Sequence, residues 1–244
     1  MKKTLATLLL LCAVCVSSWG QERSDAFFSG KKSSDKVSLG IRGGLNVSQL
    51  ATVADEGTTR EGRFAGFHAG VSLEVPIVES LGFETGLYFV QKAIREKTRD
   101  ISMIDIEGHE LWADRGEMTT KGTPCYLEIP LLAAYRHNFR KVQLIVNTGP
   151  YLAYGICGKL KIKNEDRHGT TTSEQEYDWF GDEDAMGSVR VKRFDMGWHL
   201  GAGLKFKGSI YLGYSYEAGL VNIGRSDDYS TKTRSHAISL GFAF

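Results

Sequence analysis

From Val37 to Phe244 the chain alternates apolar residues with small or polar ones at period two. "VSLGIRGGLNV" sets Val37, Leu39, Ile41, Leu45 and Val47 against Ser38, Gly40, Arg42, Gly44 and Asn46. "FDMGWHLGAGLKF" sets Phe194, Met196, Trp198, Leu200, Leu204 and Phe206 against Asp195, Gly197, His199, Gly201, Gly203 and Lys205. The same pattern runs through 65–75, 81–89, 126–136, 142–148, 209–217 and 236–244, which predicts eight strands. Three connections are short: "PIVES", "HNFRK" and Lys207-Gly208. The others, near 48–63, 96–123, 158–193 and 222–233, are long. Short turns at one end and long loops at the other describe an up-and-down meander.

Closing such a meander removes its exposed edges. The minority face decides which way the barrel is turned. It is mostly glycine and serine, with isolated charges at Arg42, Glu74, Glu84, Glu128, Arg136, Lys205 and Glu217. A water-facing wall is rarely so rich in glycine, whereas a narrow lumen needs glycines to make room for a few large polar side chains. The apolar face therefore points outward into lipid. The predicted fold is all-β: an eight-stranded antiparallel up-and-down transmembrane β-barrel with short periplasmic turns and long extracellular loops. Eight strands leave an interior just wide enough for side chains. The charged lumen residues, together with His199, are expected to form a paired network that plugs it.

Glycine is abundant, at 28 residues, and without a repeating triplet, which excludes collagen. The start of the chain reads as a targeting segment: a basic Met1-Lys2-Lys3, the apolar "TLATLLLLCAVCV", and "SSWG" before a cleavage expected after Gly20. Residues 21–36 read as a flexible periplasmic tail and 37–244 as the barrel. Loss of Lys2 and Lys3 takes the formal net charge from +1 to −1, which speaks against nucleic acid as a partner. Of the four cysteines only Cys125 and Cys157 lie beyond the targeting segment. They fall near one rim at similar height, within reach of a disulfide, although two free thiols are the expected state.

The segments "GIRGGLNVSQL", "LGFETGLYFVQKA", "YLEIPLLAAYR", "NTGPYLAYG" and "FDMGWHLGAGLKF…GYSYEAGLVNI" resemble the PorT-type outer-membrane β-barrel family of the Bacteroidota, in order along the mature chain. That family takes its name from a component required by a type IX secretion system. The resemblance implies an integral outer-membrane barrel in contact with lipid and lipopolysaccharide, both termini in the periplasm, and a secretion or surface protein as a partner. Phe242 and the terminal Phe244 resemble the signal by which the barrel-assembly machinery recognises bacterial outer-membrane barrels.

Candidate chemistry is sparse. "GHEL" at 108–111 lacks the second histidine of a zinc-protease helix. His236 near Asp227, Asp228 and Ser235 shares parity with lipid-facing Ile238, so it reads as an interfacial residue. Asp178, Asp182, Glu183 and Asp184 do not have the spacing of an EF-hand loop. No catalytic residue, metal site or cofactor is expected. In 158–193, "KLKIK" and "VRVKR" flank an acidic centre, as if a barrel hairpin continued above the membrane. Tyr177, Trp179 and Phe180 beside that centre are expected to stand exposed as partner contacts. The sequence thus favours a non-enzymatic membrane anchor or adaptor, with a narrow porin for small solutes or ions as the alternative.

Overall fold

The computed structural model describes residues 37–54, 57–60, 62–106, 109–140, 142–165, 170–180, 191–206, 209–224 and 230–244. The targeting segment and the tail expected within 1–36 lie outside them, as do 166–169 and 181–190 of the 158–193 loop, with Asp182, Glu183 and Asp184. Among the described residues there are thirteen strands: β1 (Ser38–Ala54), β2 (Gly57–Arg60), β3 (Phe64–Pro76), β4 (Leu81–Gln91), β5 (Ile94–Ile106), β6 (His109–Gly122), β7 (Cys125–Phe139), β8 (Val142–Cys157), β9 (Lys159–Glu165), β10 (Thr171–Asp178), β11 (Phe194–Phe206), β12 (Ile210–Gly219) and β13 (Ser230–Ala243).

Eight of these form the barrel in the order β1-β3-β4-β7-β8-β11-β12-β13, all antiparallel, and β13 returns to pair with β1. Closure runs through a long ladder, from Gly40 opposite Ala243 to Val53 opposite Ser230. Phe244 N–H donates to Leu39 O at 2.7 Å and fastens the last residue to the first strand.

The wall is apolar outside and polar inside. Leu45, Leu240 and Ile238 are each at least 60% exposed, whereas Glu84 and Lys92 are no more than 3% exposed. Water would penalise such a wall; lipid does not. Phe139, Phe206, Phe242 and Phe244 face outward toward the short-turn end, and Tyr154, Phe194 and Trp198 toward the other. Trp198 and Phe206 are eight residues apart on β11. At a rise of about 3.4 Å and a tilt of about 40° that is about 21 Å along the axis, close to the apolar band of about 25 Å in such barrels. The two aromatic belts therefore frame a membrane-thick wall.

The long connections are not irregular. β5 and β6 form one hairpin and β9 and β10 another, and β6 pairs with β9 to give a four-stranded sheet ordered β10-β9-β6-β5. This platform continues β4, β7 and β8 beyond the rim. β2 pairs only with the extended end of β1. Within 158–193 a hairpin does continue above the wall, with "KLKIK" in β9 lying between β10 and β6, while Val191 of "VRVKR" bridges to Gly224. Register decides this, because Thr119–Gly122 on β6 presents a free edge that β9 fills. In the β5–β6 hairpin the register shifts between Asp100 and Ile101, opposite Gly116 at φ 125°, where a left-handed bulge favours glycine.

Candidate functional site

The strand parity that turns apolar residues outward sends every second polar residue into a narrow lumen. There the charges separate into two clusters at different heights. Toward the short turns, Arg42 bonds Glu84 and holds Glu74 at 3.0 Å. Lys205 Nζ donates to the other Glu74 oxygen at 2.9 Å, and Arg136 approaches that oxygen at 3.8 Å. Asn147 donates to Glu84 at 3.0 Å, and the Arg42 guanidinium lies 4.0 Å over the Tyr211 ring. Tyr211 fits only because Gly203 and Gly213 flank it, since a Cβ at either would overlap its ring.

Toward the platform, Lys92 sits among three carboxylates: Glu128 at 3.1 Å, Asp195 at 3.4 Å and Glu217 at 3.7 Å. Asp195 also accepts from Thr233 at 2.8 Å and from Tyr151 at 3.3 Å, and His199 bonds Glu217 at 3.2 Å. The Lys92 ammonium lies 4.4 Å from the centre of the Tyr151 ring. Between the clusters is a cavity of about 70 Å³ lined by Arg42, His68, Glu84, Glu128, His199 and Glu217. It has room for a few waters that would hydrate those charges.

All eight lumen residues singled out from the sequence point inward, and each of them meets a charged partner in these pairs or joins one through a shared carboxylate. The structure pairs Glu128 and Glu217 differently from the expectation: neither reaches Arg42, Arg136 or Lys205, and Lys92 holds both. Lys92 and Asp195 are the residues that sequence reasoning missed. Continuing the β4 parity through Glu84, Tyr88 and Val90 by one step reaches Lys92, so the signal was present.

Above Lys92 the mouth is capped. Trp179 and Phe180, at the end of β10, pack with Leu50, Ile94, Tyr126, Tyr151 and Ile223. This corrects the expectation that they stand exposed: Trp179 is 3% and Phe180 6% exposed. The reason is local. Gly122 and Gly155 leave hollows that the Trp179 and Phe180 rings occupy, and Arg193 Nη2 donates to Phe180 O at 2.7 Å. Tyr177, one strand parity away, is half-buried. Cys125 and Cys157 face each other across β7 and β8 as free thiols, the first buried and the second exposed. Phe242 and Phe244 stack edge-on, 5.4 Å apart, on the outer wall.

A sequence model described as the outer membrane protein beta-barrel domain matches residues 19–225. The chain belongs to that family. It is an outer-membrane β-barrel protein, and the apolar wall is its lipid-facing surface. No curated protein matches the sequence. Among solved structures, Ail of Yersinia pestis, determined with the heparin analogue sucrose octasulfate, is 16% identical at a TM-score of 0.37, covering 86% of this chain and 100% of Ail. Neisserial surface protein A is 9% identical at 0.33, covering 86% and 100%. OprG of Pseudomonas aeruginosa is 10% identical at 0.32, covering 88% and 98%.

The platform of this outer-membrane barrel carries its own charge ladder. Glu176 on β10 bonds Lys159 and, at 2.9 Å, Lys161 on β9. Hydrogen bonds from Lys159 first and Lys161 next hold the Glu176 carboxyl down at about 2. A depressed carboxyl adds stability that is complete above its unfolded value of 4.5 and fades as pH falls toward 2. Carboxyl-carbon NMR of the folded protein should therefore show Glu176 titrating well below the ordinary carboxylate range. A Glu176 midpoint in the ordinary range would mean that the ladder is open in solution.

Proposed function

We propose that the protein is a non-enzymatic outer-membrane anchor that displays its four-stranded platform to a protein partner, with both termini in the periplasm and the platform outside the cell. The observation that carries this reading is the combination of a lumen filled by paired charges with a mouth capped by Trp179 and Phe180. A barrel stoppered at two levels is suited to holding something in place. Among the described residues the platform ends on β10, which pairs with β9 alone, and on β5, whose second edge is met only at its start, by the Arg63–Ile94 bridge and Gly62. Unpaired edges of this kind accept an extended segment of another chain. A secretion component of type IX kind, as the PorT-type resemblance implies, or a surface protein is the partner of this reading. Assembly through the Phe242 and Phe244 end belongs to the same reading.

Photo-crosslinking in intact cells tests it. A photoreactive residue at Gln175 on β10 is expected to yield one discrete protein adduct, whereas the same probe at Leu240 on the apolar wall yields lipid adducts. Lipid adducts alone at both positions would contradict the anchor reading. The alternative, a narrow porin, draws on the 70 Å³ cavity between the two charge clusters.

A further inference from the structure

One part of the outer wall breaks the apolar pattern. On β13 the outward residues Phe244, Phe242, Leu240 and Ile238 are exposed and apolar, and the next two are His236 and Arg234. Tyr214 and Tyr216, on the neighbouring β12, flank them. Tyr214 OH and His236 Nδ1 lie 2.6 Å apart, and Tyr216 packs on the His236 ring at 4.9 Å. Arg234 Nη1 donates to Tyr216 OH at 3.0 Å. On the other side, Arg234 lies opposite Gln49 in the β1–β13 ladder, and Arg63 Nε donates to Gln49 Oε1 at 2.9 Å. Arg63 is also within electrostatic reach of His236. Two exposed guanidiniums thus flank one half-buried imidazole, steadied by two tyrosines. Among the described residues, no carboxylate forms an ion pair with Arg63 or Arg234, although the lumen charges and the platform lysines that pair do so closely.

Height tells what faces this cluster. Arg234 is ten residues from Phe244 along the last strand. At a rise of about 3.4 Å and a tilt of about 40°, that is about 26 Å along the axis, against an apolar band of about 25 Å. If Phe244 marks one boundary of the bilayer, Arg234 lies at the other, level with the lipid headgroups. A tyrosine-flanked arginine pair at that level, with no acid partner among the described residues, is complementary to a phosphate monoester. Guanidiniums bind phosphate oxygens through paired, charge-assisted N–H···O bonds, and the apolar residues beneath receive the acyl chains.

We infer that Arg63, Arg234 and His236, with Tyr214 and Tyr216, form a lateral binding site for the phosphate of a glycolipid in the leaflet on the platform side. The two arginines hold the phosphate oxygens, His236 adds a donor, and Ile238 and Leu240 lie along the acyl chains. The orientation proposed above determines only which leaflet supplies the lipid. The site stands or falls by lipid retention, whereas the anchor reading stands or falls by crosslinking and conductance.

The full-length protein, reconstituted in phosphatidylcholine nanodiscs with a trace of bis-phosphorylated lipid A, tests this by native mass spectrometry. Wild type is expected to retain lipid A, and dephosphorylated lipid A is expected to be retained at least about tenfold less, as loss of charge-assisted hydrogen bonds implies. The Arg63→Gln/Arg234→Gln variant should lose the phosphorylated lipid to the same extent, while Lys161→Gln on the platform should keep it. Should the double variant fail to show the heat-dependent gel shift of a folded barrel, the wild-type comparison of the two lipids still decides the matter. Equal retention of both lipids by wild type, or full retention by a folded double variant, would overturn the site. Displacement of lipid A by millimolar inorganic phosphate would assign the arginines to a soluble anion and overturn it as well.

Discussion

Replacing Lys92 with methionine is expected to destabilise the barrel by about 3–5 kcal/mol, the usual cost of removing one partner from a buried ion pair. Lys92 is 2% exposed, and its ammonium is the one cation of the described residues within ion-pair distance of both Glu128 and Asp195. Methionine fills much the same volume, so little of the loss would come from packing. Three carboxylates surround one lysine, however, and His199 reaches only Glu217. Glu128→Gln should therefore cost far less than Lys92→Met, because it relieves repulsion among the acids while leaving Lys92 with Asp195. Urea unfolding in lipid, followed by the gel shift between folded and unfolded barrel, measures both. If the two variants cost the same, water rather than lysine would be balancing these acids.

Trp179→Ala is expected to cost a similar amount, about 3–5 kcal/mol, as for other fully buried large aromatics. The ring lies over Gly122 and against the cluster of Leu50, Ile94, Tyr126 and Phe180 that closes the mouth. Its loss would leave a hollow that rigid strands on every side cannot fill. The same unfolding measurement applies, with Tyr177→Ala as the comparison, since Tyr177 is only half-buried. A Trp179→Ala barrel as stable as wild type would mean that the cap is not packed in the membrane.

Period-two parity carried most of the fold, because in a closed barrel each strand has one wet and one greasy face and no other arrangement satisfies both. The inward placement of Arg42, Glu74, Glu84 and Glu128 follows from parity alone. Which of them meet does not, because that depends on height. Glu74, Arg136 and Lys205 each lie within four residues of a strand end at the short turns and so cluster together, whereas Glu128 and Glu217 sit toward the opposite rim. Lys92 and Asp195 were legible, Lys92 by one more step of parity and Asp195 as the first inward position of its strand. The platform was not. β6 and β9 pair across about 40 residues of sequence that include two whole barrel strands, and although "KLKIK" in β9 alternates, β6 does not, so the pairing was not announced. Nor was the burial of Trp179 and Phe180, since a charged neighbourhood in sequence concealed a hollow made by two distant glycines, Gly122 and Gly155.

The central claim, that paired charges and an aromatic cap close the lumen, is tested most directly by electrical recording. Purified protein inserted in planar bilayers is expected to give no steady ohmic channel under either polarity, because Arg42, Glu74, Glu84 and Lys205 block the short-turn half and Lys92 with Trp179 the other. A reproducible unitary conductance from the wild-type protein, rising further in Glu84→Ala or Lys92→Met, would contradict the closed lumen and make the protein a porin.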